Sequence, residues 1–343
     1  MTSQSSSVTY TPRVILVTGG AGFIGCNYVR YMLATDTAVK IINLDALTYA
    51  GSLENLKDLP DESRHVFVQG DICDRRLVER LLREYKIDTV VHFAAESHVD
   101  NSIATPEVFV KTNVLGTFTL LDAARQYWQG EKGWDGSQCR FHHISTDEVY
   151  GTLEASDPAF SETTPYAPNS PYSASKAGSD HLARAYFHTY GLPVTTTNCS
   201  NNYGSYQHSE KFIPTIIRKC LAQESIPVYG DGSNIRDWLY VTDHCAGIDV
   251  VVRKGLLGEV YNIGGINEWT NIDICRLICQ LMDEHKPEHA PHERLISFVT
   301  DRLGHDWRYA IDASKMNDDL DWQPAETFET GIRKTVAWYL RLL

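Results

Sequence analysis

The stretch HHISTDEVYGTL, residues 142 to 153, carries a strand-like segment straight into Thr146, Asp147 and Glu148. All three side chains can exchange protons or hydrogen bonds. Taken alone, an acidic pair after a strand most often caps a helix N-terminus and favours its dipole. On a regular strand neighbouring residues face opposite sides, so both carboxyls can serve one site only where the chain turns. A loop or helical turn is therefore predicted at 147–148. A second stretch, YSASK at 172 to 176, sets Tyr172 and Lys176 one helical turn apart on one face. A free phenol has a pKa of about 10 and is a poor base near neutrality. A neighbouring ammonium favours the phenolate, which could then take a proton from a carbinol. By itself Tyr-x-x-x-Lys is a cheap pattern, more often surface decoration.

TGGAGFIG, residues 18 to 25, gives that pair a context. Gly19, Gly22 and Gly25, with Phe23 and Ile24 between them, follow a β-branched run directly and open a helix. That setting lets backbone N–H groups approach a pyrophosphate at a helix N-terminus. Asp45 lies 20 positions after Gly25 and closes the next strand, where a carboxylate holds an adenosine ribose diol. The same carboxylate would repel a 2′-phosphate, so NAD is the expected cofactor rather than NADP. A positive nicotinamide adds to the pull of Lys176 on the Tyr172 proton. Asp71 and Ile72, ending a third strand, either flank the adenine or cap the strand.

The elements needed to position these groups are visible in the hydrophobic pattern. Strands are expected at 13–20, 40–45, 65–71, 88–95, 140–146 and 192–198, with helices at 27–34, 75–85, 106–128 and 170–190 between most of them. This is an α/β pattern, a Rossmann-type doubly wound parallel sheet with a smaller C-terminal substrate-binding domain. After residue 198 the chain turns to loops rich in Asn, Tyr, Gly and Pro. The expected division is a flexible leader at 1–12, a dinucleotide domain at 13–198 with a strand returning within 238–264, and a second domain from 199–237 and 265–343. The 343 residues carry a formal net charge of −13, which argues against a nucleic-acid surface. No apolar run is long enough for a membrane span, and the Ser/Thr-rich start has no secretory core, so a cytoplasmic protein is expected. Eight scattered cysteines include no Cys-x-x-Cys; Cys275 and Cys279, four apart on a helix, read as small buried hydrophobes. No metal site is expected.

TGGAGFIG, HFAAESHVD, HHISTDEVYG, SPYSASKAGSDHL and NCSNNYG together resemble the extended short-chain dehydrogenase/reductase superfamily, most closely its dTDP-glucose 4,6-dehydratases. The similarity runs from about residue 13 to the end, through IRDWLYVTDH and DRLGHDWRYAID. The resemblance implies tightly held NAD, a nucleotide-sugar substrate (dTDP-glucose), deoxysugar biosynthesis and a homodimer. It implies that Tyr172, helped by Lys176 and Thr146, takes the C4 hydroxyl proton, that Glu148 is the base at C5, and that Asp147 is the acid releasing the C6 hydroxyl as water. Asp147 must then be protonated, which asks for a value raised by burial or by Glu148.

Other assignments also come through the resemblance. Ala94, Ala95 and Asn113 line the cofactor, with a structural hydrogen-bonding role as the alternative for Asn113. Ser97 and His98 face the sugar, unless His98 is a satisfied loop histidine. Arg236, Asn271, Arg302 and Arg308 lie near the nucleotide diphosphate, where guanidinium forks suit phosphate, or else on an ordinary surface. Asn202 and Lys211 sit in the loop wrapping the diphosphate, and Tyr229 is offered to the thymine or to the core. Ser205, Leu303, Trp307 and Cys26 depart from the family pattern. In the dimer, the helix bearing Tyr172 and the one before it, about 107–128, would pair with their mates in a four-helix bundle, and both are over-rich in apolar residues such as Val110, Val114, Phe118, Leu182, Tyr186 and Phe187. A full burial of those helices in a monomer explains the same surplus. Two rival functions remain: another Tyr–Lys–NAD enzyme such as a nucleotide-sugar 4-epimerase or decarboxylase, and a non-catalytic NAD-binding protein. Epimerases need neither a C5 base nor a C6 acid.

Overall fold

The computed structural model describes residues 9–301 and 306–342. The β-branched runs become β1 (Val14–Thr18), β2 (Lys40–Asp45), β3 (His65–Gln69), β4 (Thr89–His92), β5 (Arg140–Thr146) and β6 (Val194–Cys199). Three short strands then leave their sheet: β7 (Asn201–Tyr203), β8 (Ile226–Tyr229) and β9 (Ile235–Tyr240). β10 (Val260–Ile263) returns beside β6, whereas β11 (Glu268–Thr270) and β12 (Ile296–Val299) lie outside again. Among the described residues the main sheet has seven strands in the order β10-β6-β5-β4-β1-β2-β3, and every pairing is parallel. This is the doubly wound α/β architecture expected from the alternation of elements.

Side chains alternate across each strand, so one strand feeds two cores. Ile15 and Val17 pack with Tyr28 and Met32 of the helix Phe23–Thr35 and with Ile248 and Val251 of the helix Val241–Lys254. Leu16 faces the other way, onto Val78 and Leu82 of the helix Arg75–Tyr85 and onto Leu120, Trp128 and Tyr186. Helices on both faces explain why these strands are apolar throughout. A third core, built from Ile213, Ile217, Ile274, Ile278, Phe328 and Val336, lies under the sheet β11-β9-β7 and the β8–β12 pair.

The strand order reverses between β1 and β4, and at such a switch point a crevice opens at the C-terminal ends of the strands. The loops after β1, β2, β4 and β5 all leave from that edge, bringing the glycine loop, Asp45, Ala94 and Thr146 to it.

Two local expectations are corrected. The leader placed at 1–12 does not extend to Tyr10, which is 4% exposed, bonds through its hydroxyl to Thr89 Oγ1 at 2.8 Å and lies 4.9 Å below the Arg140 guanidinium. The helix expected at 106–128 continues to 132 and is not uniform: Val110–Gly116 and Gln126–Lys132 are π-helical, with α-helix between them. Wide turns of this kind shift side-chain direction without changing composition.

Two glycines are required by close approach. Gly19 has φ +73°, and a Cβ there would stand 2.7 Å from Ala94 N; a Cβ on Gly25 would stand 2.2 Å from Gly19 O. Gly25→Ala should therefore push the helix off the glycine loop and cost about 1–3 kcal/mol. Urea unfolding checks this, and an unchanged midpoint would contradict the packing described.

Candidate active site

β5 ends at Thr146, and the chain turns at once into the 3-10 helix Asp147–Tyr150. Thr146 caps that turn, its Oγ1 accepting Glu148 N–H at 3.3 Å. The predicted break in strand alternation is thus present, and it separates the environments of the two carboxyls. Asp147 is 1% exposed, while Glu148 is only part-buried. Burial holds the Asp147 carboxyl well above its ordinary range, the Glu148 charge adds to this, Asp237 adds further, and Arg236 opposes it. Asp147 Oδ1 accepts the Thr146 hydroxyl at 3.3 Å; Oδ2 is buried without a hydrogen-bond partner among the described residues. A neutral carboxyl tolerates such a site where a carboxylate would not.

The helix Pro171–Tyr190 brings the second half of the site. Ser170 and Ser173 form a capping box, and Pro171 fills the first position, so the start of the helix is fixed one residue before Tyr172. Tyr172 and Lys176 are both buried, at 8% and 5% exposure. The Thr146 side chain stands beside the Tyr172 phenol and lowers its proton affinity. Lys176 Nζ donates to Ile144 O at 2.7 Å, which ties it to β5. Within the chain itself the phenol is not activated: burial raises Tyr172 well above its usual value, and Glu148, Cys199 and Asp147 raise it further. This reverses the direction expected from Lys176 alone. Burial pulls Lys176 down, and Asp180 pushes it back up.

The dinucleotide residues form a cradle. The helix Phe23–Thr35 starts at Gly22 without any side-chain cap, leaving its first N–H groups free to meet an anion. A Cβ on Gly22 would meet only Gly19 O, at 3.3 Å, so a ligand can come close to that backbone. Phe23 and Ile24 are the first residues of the helix. Asp45, at the end of β2, accepts Ala21 N–H and Leu47 N–H at 2.9 and 2.8 Å. It braces the loop and keeps lone pairs for a diol. Ala94 N donates to Thr18 Oγ1 at 3.3 Å, which puts the loop containing Ala94, Ala95, Ser97 and His98 beside the glycine turn. These features fit NAD. Ile72 is buried, whereas Asp71 is exposed and caps its own turn through Cys73 N–H at 2.8 Å.

The sequence profile of the GDP-mannose 4,6 dehydratase family matches residues 16–335. A dTDP-glucose 4,6-dehydratase of Xanthomonas campestris is 58% identical over 327 residues, which is 95% of this chain and 92% of that protein. The chain belongs to this dehydratase family. Among solved structures, the Bacillus anthracis dTDP-glucose 4,6-dehydratase in complex with NAD superposes with a TM-score of 0.85 at 48% identity, covering 96% of both chains. DesIV of Streptomyces venezuelae, a dTDP-glucose 4,6-dehydratase with NAD and TYD bound, gives 0.87 at 45% identity, over 96% of this chain and 97% of that one.

Several family positions are engaged by partners within the chain, Asn113 in the hydrogen-bonding role given as its alternative. Asn113 is buried in a π-helical turn, accepting Glu96 N–H at 2.9 Å and donating to Ser175 Oγ at 2.8 Å, so it joins the loop after β4 to the Tyr172 helix. Asn202 donates to Ser200 O and accepts from His244 Nδ1, both at 2.9 Å. Arg236 is buried over the Tyr309 ring and donates to the carbonyls of Ile235, Trp307 and Asp306. Arg308 forks onto Glu268 at 2.7 and 2.9 Å, so the geometry suited to phosphate is engaged by a carboxylate of this chain. Asn271 opens the helix Asn271–His285, Lys211 precedes the helix Phe212–Ala222, and Tyr229 stands 45% exposed on β8. Arg302 and Leu303 lie outside the described residues. The loop at Ser205 is tied down where proline is replaced: Asn27 donates to Ser205 O at 2.9 Å, and Arg30 lies 4.7 Å over the Tyr206 ring.

Sequence reasoning missed Asp237, Cys199 and Asp180, all buried around the acid or the lysine. Only Asp180 left a signal, one turn after Lys176 on the same helix.

Because the folded protein favours neutral Asp147, its contribution to stability is whole below the ordinary carboxylate range. It is lost as pH rises through the raised value. Asp147→Asn should lower kcat by about 10²- to 10⁴-fold, the usual weight of a general acid. It should also lose less stability than the native chain on going from about pH 6 to about pH 9. Thermal unfolding at both pH values checks this; parallel pH dependence would mean that Asp147 is already ionised.

Proposed function

We propose that the protein converts dTDP-glucose to dTDP-4-keto-6-deoxyglucose and water, with NAD as a resident cofactor regenerated in each turnover. The observation that carries this reading is the placement of a fully buried Asp147, whose carboxyl burial pushes towards the neutral form, next to a part-buried Glu148 beside Tyr172 and Lys176. An acid and a base are what an elimination needs. A nucleotide-sugar 4-epimerase with the same Tyr–Lys core has no use for either.

Gly19, Gly22, Gly25 and the start of the helix Phe23–Thr35 are assigned to the pyrophosphate of NAD, and Asp45 to its ribose. NAD, when bound, accepts hydride from C4 and returns it at C6. Tyr172, with Lys176 and Thr146 beside it, takes the proton of the C4 hydroxyl. The C4 ketone then acidifies the C5 proton, so that a carboxylate such as Glu148 is a strong enough base. Asp147 protonates the C6 hydroxyl and releases it as water. Glu148 afterwards returns its proton to C5. Ser97, His98, Asn202, Lys211, Tyr229, Arg236, Asn271, Arg302 and Arg308 are assigned to the nucleotide sugar by family position.

The protein is also proposed to act as a homodimer. Val110, Leu115 and Phe118 are 56%, 49% and 38% exposed, and with Val114 and Leu182 they line one apolar groove on the rod before the Tyr172 helix. A second copy would cover it, and Phe118→Glu should turn a dimer into a monomer by sedimentation; a wild-type monomer would refute the assignment. Among the described residues no helix is long and apolar enough to cross a membrane.

Incubation with dTDP-glucose in heavy water tests the reaction. The product should have lost one water and carry deuterium at C5; an unchanged mass with inverted C4 would mean epimerisation. Glu148→Gln should still reduce NAD on mixing with substrate, yet form product about 10²- to 10⁴-fold more slowly. Normal product formation by that variant would remove Glu148 from the base role.

A further inference from the structure

The proton balance of this reaction leaves the site unready for a second turnover. Glu148 takes a proton from C5 and gives one back to C5. Tyr172, however, ends each turnover holding the C4 hydroxyl proton, and Asp147 ends it having lost its own to the departing water. One proton must therefore pass from Tyr172 to Asp147, directly or by way of solvent, before the cycle can repeat.

The two groups share one neighbour. The Thr146 side chain stands beside the Tyr172 phenol and opposes the rise in its proton affinity, and its Oγ1 donates to Asp147 Oδ1 at 3.3 Å. All three side chains are buried, Thr146 at 9% and Asp147 at 1% exposure. Asp147 presents its other oxygen, Oδ2, without a hydrogen-bond partner among the described residues. One oxygen is thus connected to Thr146, and the other is the one assigned to the sugar hydroxyl.

We propose that Thr146 is an internal proton relay that resets the enzyme, carrying the proton gained by Tyr172 back to Asp147 at the end of each turnover. The inference rests on the acid and base roles given above to Asp147 and Tyr172. In the transfer the Tyr172 O–H bond breaks as a new O–H bond forms on Thr146, while the original Thr146 O–H proton moves to Asp147 Oδ1. The result is a phenolate and a neutral carboxyl, with no other species consumed. The terminal torsion of an aspartate is broad and roughly two-fold, so a half-turn of the carboxyl presents the new proton to the sugar. Neighbouring charges act on both ends of the relay: Glu148 and Asp237 raise the proton affinity of Asp147, and Glu148 and Asp147 raise that of Tyr172, while Lys176 lies one turn from the phenol on the same helix. The groups facing Lys176 are Asp180 on its own helix, Cys199 on β6, His143 on β5 and His92 on β4; burial lowers the proton affinity of both histidines.

The test compares Thr146→Val and Thr146→Ser as NAD-loaded proteins, mixed with dTDP-glucose under enzyme excess and under substrate excess. The relay predicts that Thr146→Val gives one equivalent of product in a burst followed by a slow phase. Its steady-state rate should fall at least about tenfold more than its single-turnover rate. Imidazole, a small proton carrier, should speed the slow phase. Thr146→Ser, which keeps the hydroxyl, should give a progress curve without a burst. Equal loss in both regimes for Thr146→Val would confine Thr146 to the first proton removal and overturn the relay, as would a burst in the serine variant. Absence of any product with the wild-type protein would instead defeat the dehydratase reading itself.

Discussion

Two adjacent carboxyls, one of them fully buried, cannot both carry charge without a cost, and the chain resolves that conflict by geometry. The turn after β5 sends Asp147 inward, beneath Asp237 and Arg236 of β9, and leaves Glu148 part-buried near Tyr172 and Tyr309. Burial then makes one carboxyl an acid while the other can remain a base, although their chemical types are nearly the same. The surrounding structure holds this asymmetry in place. The capping box fixes where the Tyr172 helix begins, the Lys176 bond to Ile144 O joins that helix to β5, and Asp180 joins them again through His143 at 2.9 Å and Ser145 at 2.7 Å.

The cofactor side of the crevice is positioned by different means. Its glycines are dictated by contact: Gly19 against Ala94, and Gly25 against the turn itself. The helix they open also reaches the loop after β7, through Asn27 to Ser205 O and through Arg30 to the Tyr206 ring. The side that cradles a dinucleotide and the loop assigned to the diphosphate are therefore tied together by a single helix.

Much of this was legible in the sequence because it rests on local rules. β2 and β5 fall where their β-branched runs begin and end, and the glycine spacing located the cradle. The strands at 13–20 and 88–95 end early, at Thr18 and His92, because the residues after them turn away to line the crevice. What escaped was non-local. The pairing of β7, β9 and β11 joins segments that carry little strand signal of their own. The fork of Arg308 onto Glu268 depends on a partner 40 residues away in the chain, and Tyr10 looked like part of a polar leader until its pocket against Asp88, Thr89 and Arg140 was in view. The raised proton affinity of Asp147 was foreseeable from Glu148, yet its largest cause is burial, which only the folded chain supplies.

The most direct measurement is infrared difference spectroscopy of the NAD-loaded protein at neutral pH, comparing the native chain with Asp147→Asn in the region of the protonated carboxyl stretch. A protonated-carboxyl band present in the native protein and absent from the variant is the expected result. Loss of only an ionised-carboxylate band would show that Asp147 is charged at rest, and would contradict the division of labour between Asp147 and Glu148 on which the mechanism depends.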